Sequence, residues 1–120
     1  METKIMIVDD ALFMRKMIAN TLKKHGYCHI IEAIDGNEGL SLYQKEQPDI
    51  VLLDITMPDK TGLVVLEELL HIDQTACVIM CSAVGQESMI ANALRIGAKD
   101  FIVKPFKEEQ LIQMISSLTI

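Results

Sequence analysis

Five short segments rich in apolar residues divide this chain, and a stretch of helical periodicity follows each one. Ile5-Met6-Ile7-Val8, Ile50-Val51-Leu52-Leu53, Cys77-Val78-Ile79-Met80-Cys81 and Phe101-Ile102-Val103 are unbroken, and a weaker run spans Cys28 to Ile34. A strand that is apolar on both faces has to be covered on both faces, which is the condition of a parallel sheet. The helices between the strands supply that cover. From Ala11 to His25, Ala11, Met14, Ile18 and Leu22 fall on one helical face. Arg15, Lys16, Asn20, Lys23 and Lys24 are expected to face away, and Gly26 to stop the helix. Asp35 reads as the N-cap of a second helix that ends before Pro48. Further helices are expected at Leu63 to Ile72, at Glu87 to Ile96 before Gly97, and at Lys107 to Leu118. In the last of these, Leu111, Ile112, Ile115 and Leu118 point inward. The expectation is one α/β domain over residues 1–120, a doubly wound five-stranded parallel sheet with right-handed crossovers.

The strand ends carry the chemistry. In open parallel sheets, sites form beyond the carboxyl ends of the strands. Here the first strand ends in Asp9-Asp10, the third in Asp54, the fourth in Ser82 and the fifth in Lys104. All of these ends share one sheet edge, so the residues should converge. Two unit charges 4 Å apart cost about 4 kcal/mol at an effective dielectric of 20. Three carboxylates therefore call for a cation, and an all-oxygen set suits Mg²⁺. Lys104 adds a positive charge and Ser82 a hydroxyl donor. Such a group suits phosphoryl transfer, in which positioning and charge neutralisation dominate. A carboxylate can itself be the nucleophile. Each residue alone has a plainer use: Asp9-Asp10 could cap a helix, Asp54 could serve a turn, and Lys104 could be solvated. The joint placement favours the site, but placement does not say which carboxylate accepts the phosphoryl group.

Charge and composition exclude several alternatives. The formal net charge of −6 argues against non-specific nucleic-acid binding. No apolar run approaches the ~18 residues of a membrane span. The start, Met1-Glu2-Thr3-Lys4, leads into an apolar run too short for a signal peptide, so the cytosol is the expected compartment. Cys28, Cys77 and Cys81 form no disulfide or zinc pattern and read as buried thiols, and the eight methionines mostly as core filler. Cys77 and Cys81 are spaced to share one strand face. No glycine-rich loop follows the first strand, which disfavours a nucleotide or flavin site.

These residues also match a family. Val8-Asp9-Asp10, Asp54 followed by Met57-Pro58 and Gly62, Ser82-Ala83, and Phe101-Ile102-Val103-Lys104-Pro105-Phe106 resemble the receiver domain of bacterial two-component response regulators. The resemblance covers essentially the whole chain. Within the family, Asp9-Asp10-Ala11-Leu12-Phe13-Met14-Arg15 and Asp54-Ile55-Thr56-Met57-Pro58 look like the stand-alone chemotaxis type. The resemblance implies a flavodoxin-like sheet of strand order 2-1-3-4-5. It implies Asp54 as phosphoacceptor and Mg²⁺ on Asp9, Asp10, Asp54 and the Thr56 backbone carbonyl. It gives Ser82 and Lys104 to the phosphoryl oxygens, with a cis bond from Lys104 to Pro105. Ser82 and Phe101 become the switch residues.

The same resemblance implies a phosphorylation-activated switch rather than an enzyme, monomeric and cytoplasmic. It would assist its own phosphorylation and dephosphorylation. A histidine kinase would supply the phosphoryl group, the flagellar motor switch protein would be the output, and a phosphatase a further partner. The output surface would be the helix 4, strand 5 and helix 5 face, with Ile90 and Leu94 either contacts there or core residues. Alternatives are a single-domain phosphorelay intermediate or a receiver cut from a transcriptional regulator, since the chain stops at Ile120. A Mg²⁺-dependent phosphohydrolase is disfavoured, because Thr56 stands where such enzymes often carry a second Asp.

Overall fold

The computed structural model describes residues 3–119. Met1, Glu2 and Ile120 lie outside them. Strands and helices alternate: β1 (Lys4–Val8), α1 (Leu12–Lys24), β2 (His29–Ala33), α2 (Gly36–Glu46), β3 (Ile50–Asp54), α3 (Gly62–Ile72), β4 (Val78–Ala83), α4 (Glu87–Ile96), β5 (Asp100–Lys104) and α5 (Glu108–Leu118). The sheet is parallel, in the order β2-β1-β3-β4-β5. The expected fold class and strand order are therefore observed.

Side chains alternate across a strand, and this splits the core into two. Met6, Val8, Val51, Leu53, Val78 and Met80 pack on one face with Val65, Leu66 and Leu69 of α3 and Ala93 of α4. Ile5, Ile7, Ile50, Leu52, Ile79, Cys81 and Ile102 pack on the other with Ile18, Ala19 and Leu22 of α1 and Leu111 and Ile115 of α5. Each Val, Leu, Ile or Met among them, taken from water, stabilises the fold by about 1.5–3 kcal/mol. Ile112, Leu118 and Cys77 are partly buried against this second core, as their spacing implies.

The helix ends follow local chemistry. The Asp35 carboxylate accepts from the Glu38 amide at 2.9 Å and starts α2. The Thr61 hydroxyl caps α3 by accepting from Val64 at 3.4 Å. Gly26, just past α1, takes φ +93°, which a glycine adopts readily.

Three sequence expectations need correction. Arg15 is buried rather than turned away, because its guanidinium finds partners inside. Ala11 is exposed at the N-cap of α1, outside the buried stripe. Cys28 is exposed, because it precedes an edge strand that is only partly covered. Ile90 belongs to the core, whereas Leu94 is exposed. Among the methionines, Met6, Met57 and Met80 are buried and Met17 is exposed.

Candidate functional site

Four strands deliver the site to one edge of the sheet. Asp9 follows β1, Asp54 ends β3, Ser82 lies next to last in β4, and Lys104 ends β5. Pairing aligns Asp54 with Cys81 and Ala83 with Lys104, so the strand ends are level. One carboxylate oxygen from each of Asp9, Asp10 and Asp54 lies within 4.8 Å of the others. The Lys104 side chain comes from the far edge strand and passes the end of β4. Its Nζ sits 3.0 Å from Asp9 Oδ2 and 3.3 Å from Asp54 Oδ1. The Lys104–Pro105 bond is cis.

Asp9 and Ser82 are buried, Asp10 is exposed, and Asp54 lies between. The plainer use of Asp9 is also real: its Oδ1 accepts from the Ala11 amide at 2.9 Å and shapes the turn into α1. Arg15 fixes the same turn from behind. Its Nη1 donates to the Asp9 carbonyl at 2.8 Å and its Nε to Glu32 at 3.2 Å. Burial disfavours the Glu32 carboxylate, but the bonds from Lys16 and Arg15 outweigh it and hold its pKa below the usual value.

Burial pushes the Asp54 carboxyl above its usual pKa, with Asp9 adding to the rise and Lys104 opposing it. For Lys104, burial favours the neutral amine, but Asp54 and Asp9 outweigh it and the pKa is raised. Cys81, beneath the site, is pushed up to about 12, chiefly by burial, so its thiol stays protonated.

The donor set fits Mg²⁺. It consists of carboxylate oxygens, without the nitrogen or sulfur that zinc and copper favour. With all three acids ionised, one ammonium leaves a formal excess of two negative charges, which a divalent ion offsets.

Two loops flank the cluster. The β3–α3 loop folds tightly under Asp54, where the Gly62 amide donates to the Ile55 carbonyl at 2.6 Å. A Cβ at Gly62 would collide with the Asp54 carbonyl oxygen and approach Ile55 Cα to 2.7 Å. Thr56 is exposed two residues beyond Asp54, and its amide approaches Asp54 Oδ1 at 3.5 Å. In the β4–α4 loop, Gln86 bonds both Ala83 and Thr56. Ser82 and Phe101 line one groove of about 270 Å³ with Ile90, Leu94 and Val103. Phe101 is exposed rather than tucked inward.

Arg15 and Gln86 were not among the candidate residues. Arg15 had a signal, since it lies three and four residues before Ile18 and Ala19 on the buried stripe. Gln86 had none, because its bonds depend on a tertiary turn.

A model of the response regulator receiver domain matches residues 5–116. The chemotaxis protein CheY of Bacillus subtilis is 47% identical over 116 residues, covering 97% of each chain. Among solved structures, CheY of Borrelia burgdorferi in a complex with CheX, BeF3 and Mg²⁺ has a TM-score of 0.91 and 37% identity, covering 98% of this chain and 89% of that one. NtrX of Brucella abortus, crystallised with ATP, has a TM-score of 0.92 and 32% identity, covering 98% of this chain and 27% of that longer one. With the fold and the acid cluster already matching, these likenesses place the chain in the response regulator receiver family, as a receiver of the CheY type.

Proposed function

We propose that this chain is one receiver unit whose Asp54 accepts a phosphoryl group from a histidine kinase. The observation that carries the reading is the Lys104 ammonium bridging Asp9 and Asp54 within a cluster of three acids. An Asp54 oxygen attacks phosphorus in line. The bond from phosphorus to the donor imidazole nitrogen breaks, and its electron pair stays on that nitrogen, which takes a proton. Lys104 leaves Asp54 Oδ1 to neutralise a phosphoryl oxygen, and the Ser82 hydroxyl donates to another. Mg²⁺, held by Asp9, Asp10, Asp54 and the Thr56 carbonyl, supplies charge neutralisation for the transferred group. Gly62 keeps the loop beneath Asp54 close enough for this arrangement.

The modified Asp54 carries about −1.5 to −2 charges where one or none stood. Ser82 is drawn toward it and Phe101 follows into the shared groove, changing the face made by α4, β5 and α5. Kinship with CheY proteins supports a chemotaxis kinase, a flagellar motor switch target and a cytoplasmic setting. Kinship with a CheY that forms a complex with CheX supports a phosphatase as a further partner. No helix among the described residues is long and apolar enough to cross a membrane. The likeness to a longer regulator, of which this fold fills 27%, favours a receiver attached to another module as the second reading.

Acetyl phosphate with Mg²⁺ tests the acceptor by intact mass. The wild type should gain one phosphoryl group, and the gain should be lost with EDTA and in Asp54→Asn. An equal gain in Asp54→Asn refutes the assignment. Steady hydrolysis of an external phosphate ester would make the chain a phosphohydrolase instead.

A further inference from the structure

The Ile55 amide donates to the Cys81 carbonyl at 3.2 Å, so the backbone of residue 81 faces β3. Backbone groups alternate along a parallel ladder, and the Ala83 amide is the next donor on that side. It therefore points toward the end of β3, where Asp54 and Thr56 lie. Among the described residues, no strand carbonyl takes it. The Gln86 side chain takes it instead, through Oε1 at 2.7 Å. The same side chain donates from Nε2 to Thr56 Oγ1 at 3.0 Å.

The orientation of this amide follows from its partners. The Ala83 N–H can only donate, so it must meet the oxygen end, which leaves the NH₂ end for the Thr56 hydroxyl. The turn that permits the contact is made by Gly85, at φ +96°. Nothing lies within 4 Å of a Cβ placed there, so Gly85 is used for its conformation and not for a close approach. Val84 at the tip of the turn is 79% exposed, so little packing holds the loop. The Gln86 bond to Ala83 closes this turn on itself, and the bond to Thr56 ties it to the β3–α3 loop.

A phosphoryl group on Asp54 brings three strong acceptor oxygens to the end of β3. An oxygen that takes the Ala83 amide has to displace Gln86 Oε1. We propose that Gln86 is a positioning residue that holds the β4–α4 loop in its resting place, through the Ala83 amide and the Thr56 hydroxyl. This rests on the reading of Asp54 as acceptor. The latch lowers the population of the loop position that receives the phosphoryl group. Apparent affinity for a phosphoryl mimic falls by the same factor.

Beryllofluoride with Mg²⁺ is the probe, titrated calorimetrically into the full chain. Gln86→Ala should bind it roughly threefold to tenfold more tightly, as the release of one or two exposed hydrogen bonds allows. Gln86→Met keeps the length of the side chain without its polar atoms and should show the same gain. Thr56→Val removes the acceptor but keeps the backbone and should gain in the same direction. The double variant Gln86→Ala, Thr56→Val should gain no more than Gln86→Ala alone. Unchanged or weaker binding in both Gln86 variants overturns the latch, as does full additivity with Thr56→Val. A merely structural Gln86 would lower Tm and leave affinity unchanged. A wild type that fails to bind the probe, or that binds it equally as Asp54→Asn, overturns the acceptor reading itself. A wild type that binds through Asp54, with Gln86 variants no different, overturns the latch alone.

Discussion

β3 and β5 look alike in sequence and live differently in the fold. Both are short apolar runs ending in a charged residue of the site. β3 is flanked by β1 and β4, and its four residues before Asp54 are all buried. β5 is an edge strand, paired with β4 alone, and only Ile102 in it is buried. Phe101 and Val103 are each 37% exposed and line the groove beside α4. The central strand gives Asp54 a fixed base. The edge strand sends one long side chain inward, Lys104, and keeps an apolar face turned outward. One end of the site is held still while the other has room to respond.

The largest expected effect tests the rigid half. Leu53 is fully buried in the core on the α3 side. Leu53→Ala should cost about 3 kcal/mol, from lost burial and the cavity left behind. In thermal unfolding that is a drop in Tm of roughly 12 °C. A drop of only a few degrees would mean that β3 relaxes around the gap and is not the fixed base described.

The second effect concerns the charge that β3 holds at its end. Burial in the folded state raises the Asp54 pKa above its usual, unfolded value of 3.8. A carboxylate with a raised folded pKa is penalised when ionised. The penalty is absent below the unfolded value of 3.8, where both states are protonated, and complete above the folded pKa. Without Mg²⁺, Asp54→Asn should therefore raise Tm at pH 7. The gain should fade as pH falls toward 3.8. Millimolar Mg²⁺ should stabilise the wild type more than the variant, because the variant lacks one of the proposed ligands. A destabilised Asp54→Asn at pH 7 in EDTA would show that the Lys104 contact outweighs the crowding.

The shared features of these strands were readable from the chain, and their differences were not. Unbroken apolar runs require cover on both faces, and Asp9, Asp10, Asp54, Ser82 and Lys104 fell at strand ends. That was enough to place the acid cluster. Whether a run sits at the centre or the edge depends on strand order, which came from family likeness and not from hydropathy. Arg15 departs from the rule that charge marks a solvated face, because Glu32 and the Asp9 carbonyl give the guanidinium partners inside. Of the two readings of Ile90, contact or core, the core one holds, because α4 packs it against the sheet. Gln86 was invisible because its bonds reach 3 and 30 residues away through a glycine turn.

The smallest expected effect tests the other half of the comparison. Val103 lies on β5, paired with Ser82, and lines the groove that contains Phe101. Its burial is incomplete, so Val103→Ala loses only part of the transfer free energy of two methyl groups. The cost should stay below about 1 kcal/mol, a Tm change under roughly 4 °C. If this face carries output, the same substitution should still weaken binding of a flagellar switch peptide in the presence of beryllofluoride and Mg²⁺. It should leave phosphorylation of Asp54 by acetyl phosphate unchanged, because Val103 points away from the acids that Lys104 bridges. A stability loss as large as that of Leu53→Ala would place β5 in the core and remove the distinction between the two strands. Unaltered peptide binding would move the output surface off the groove.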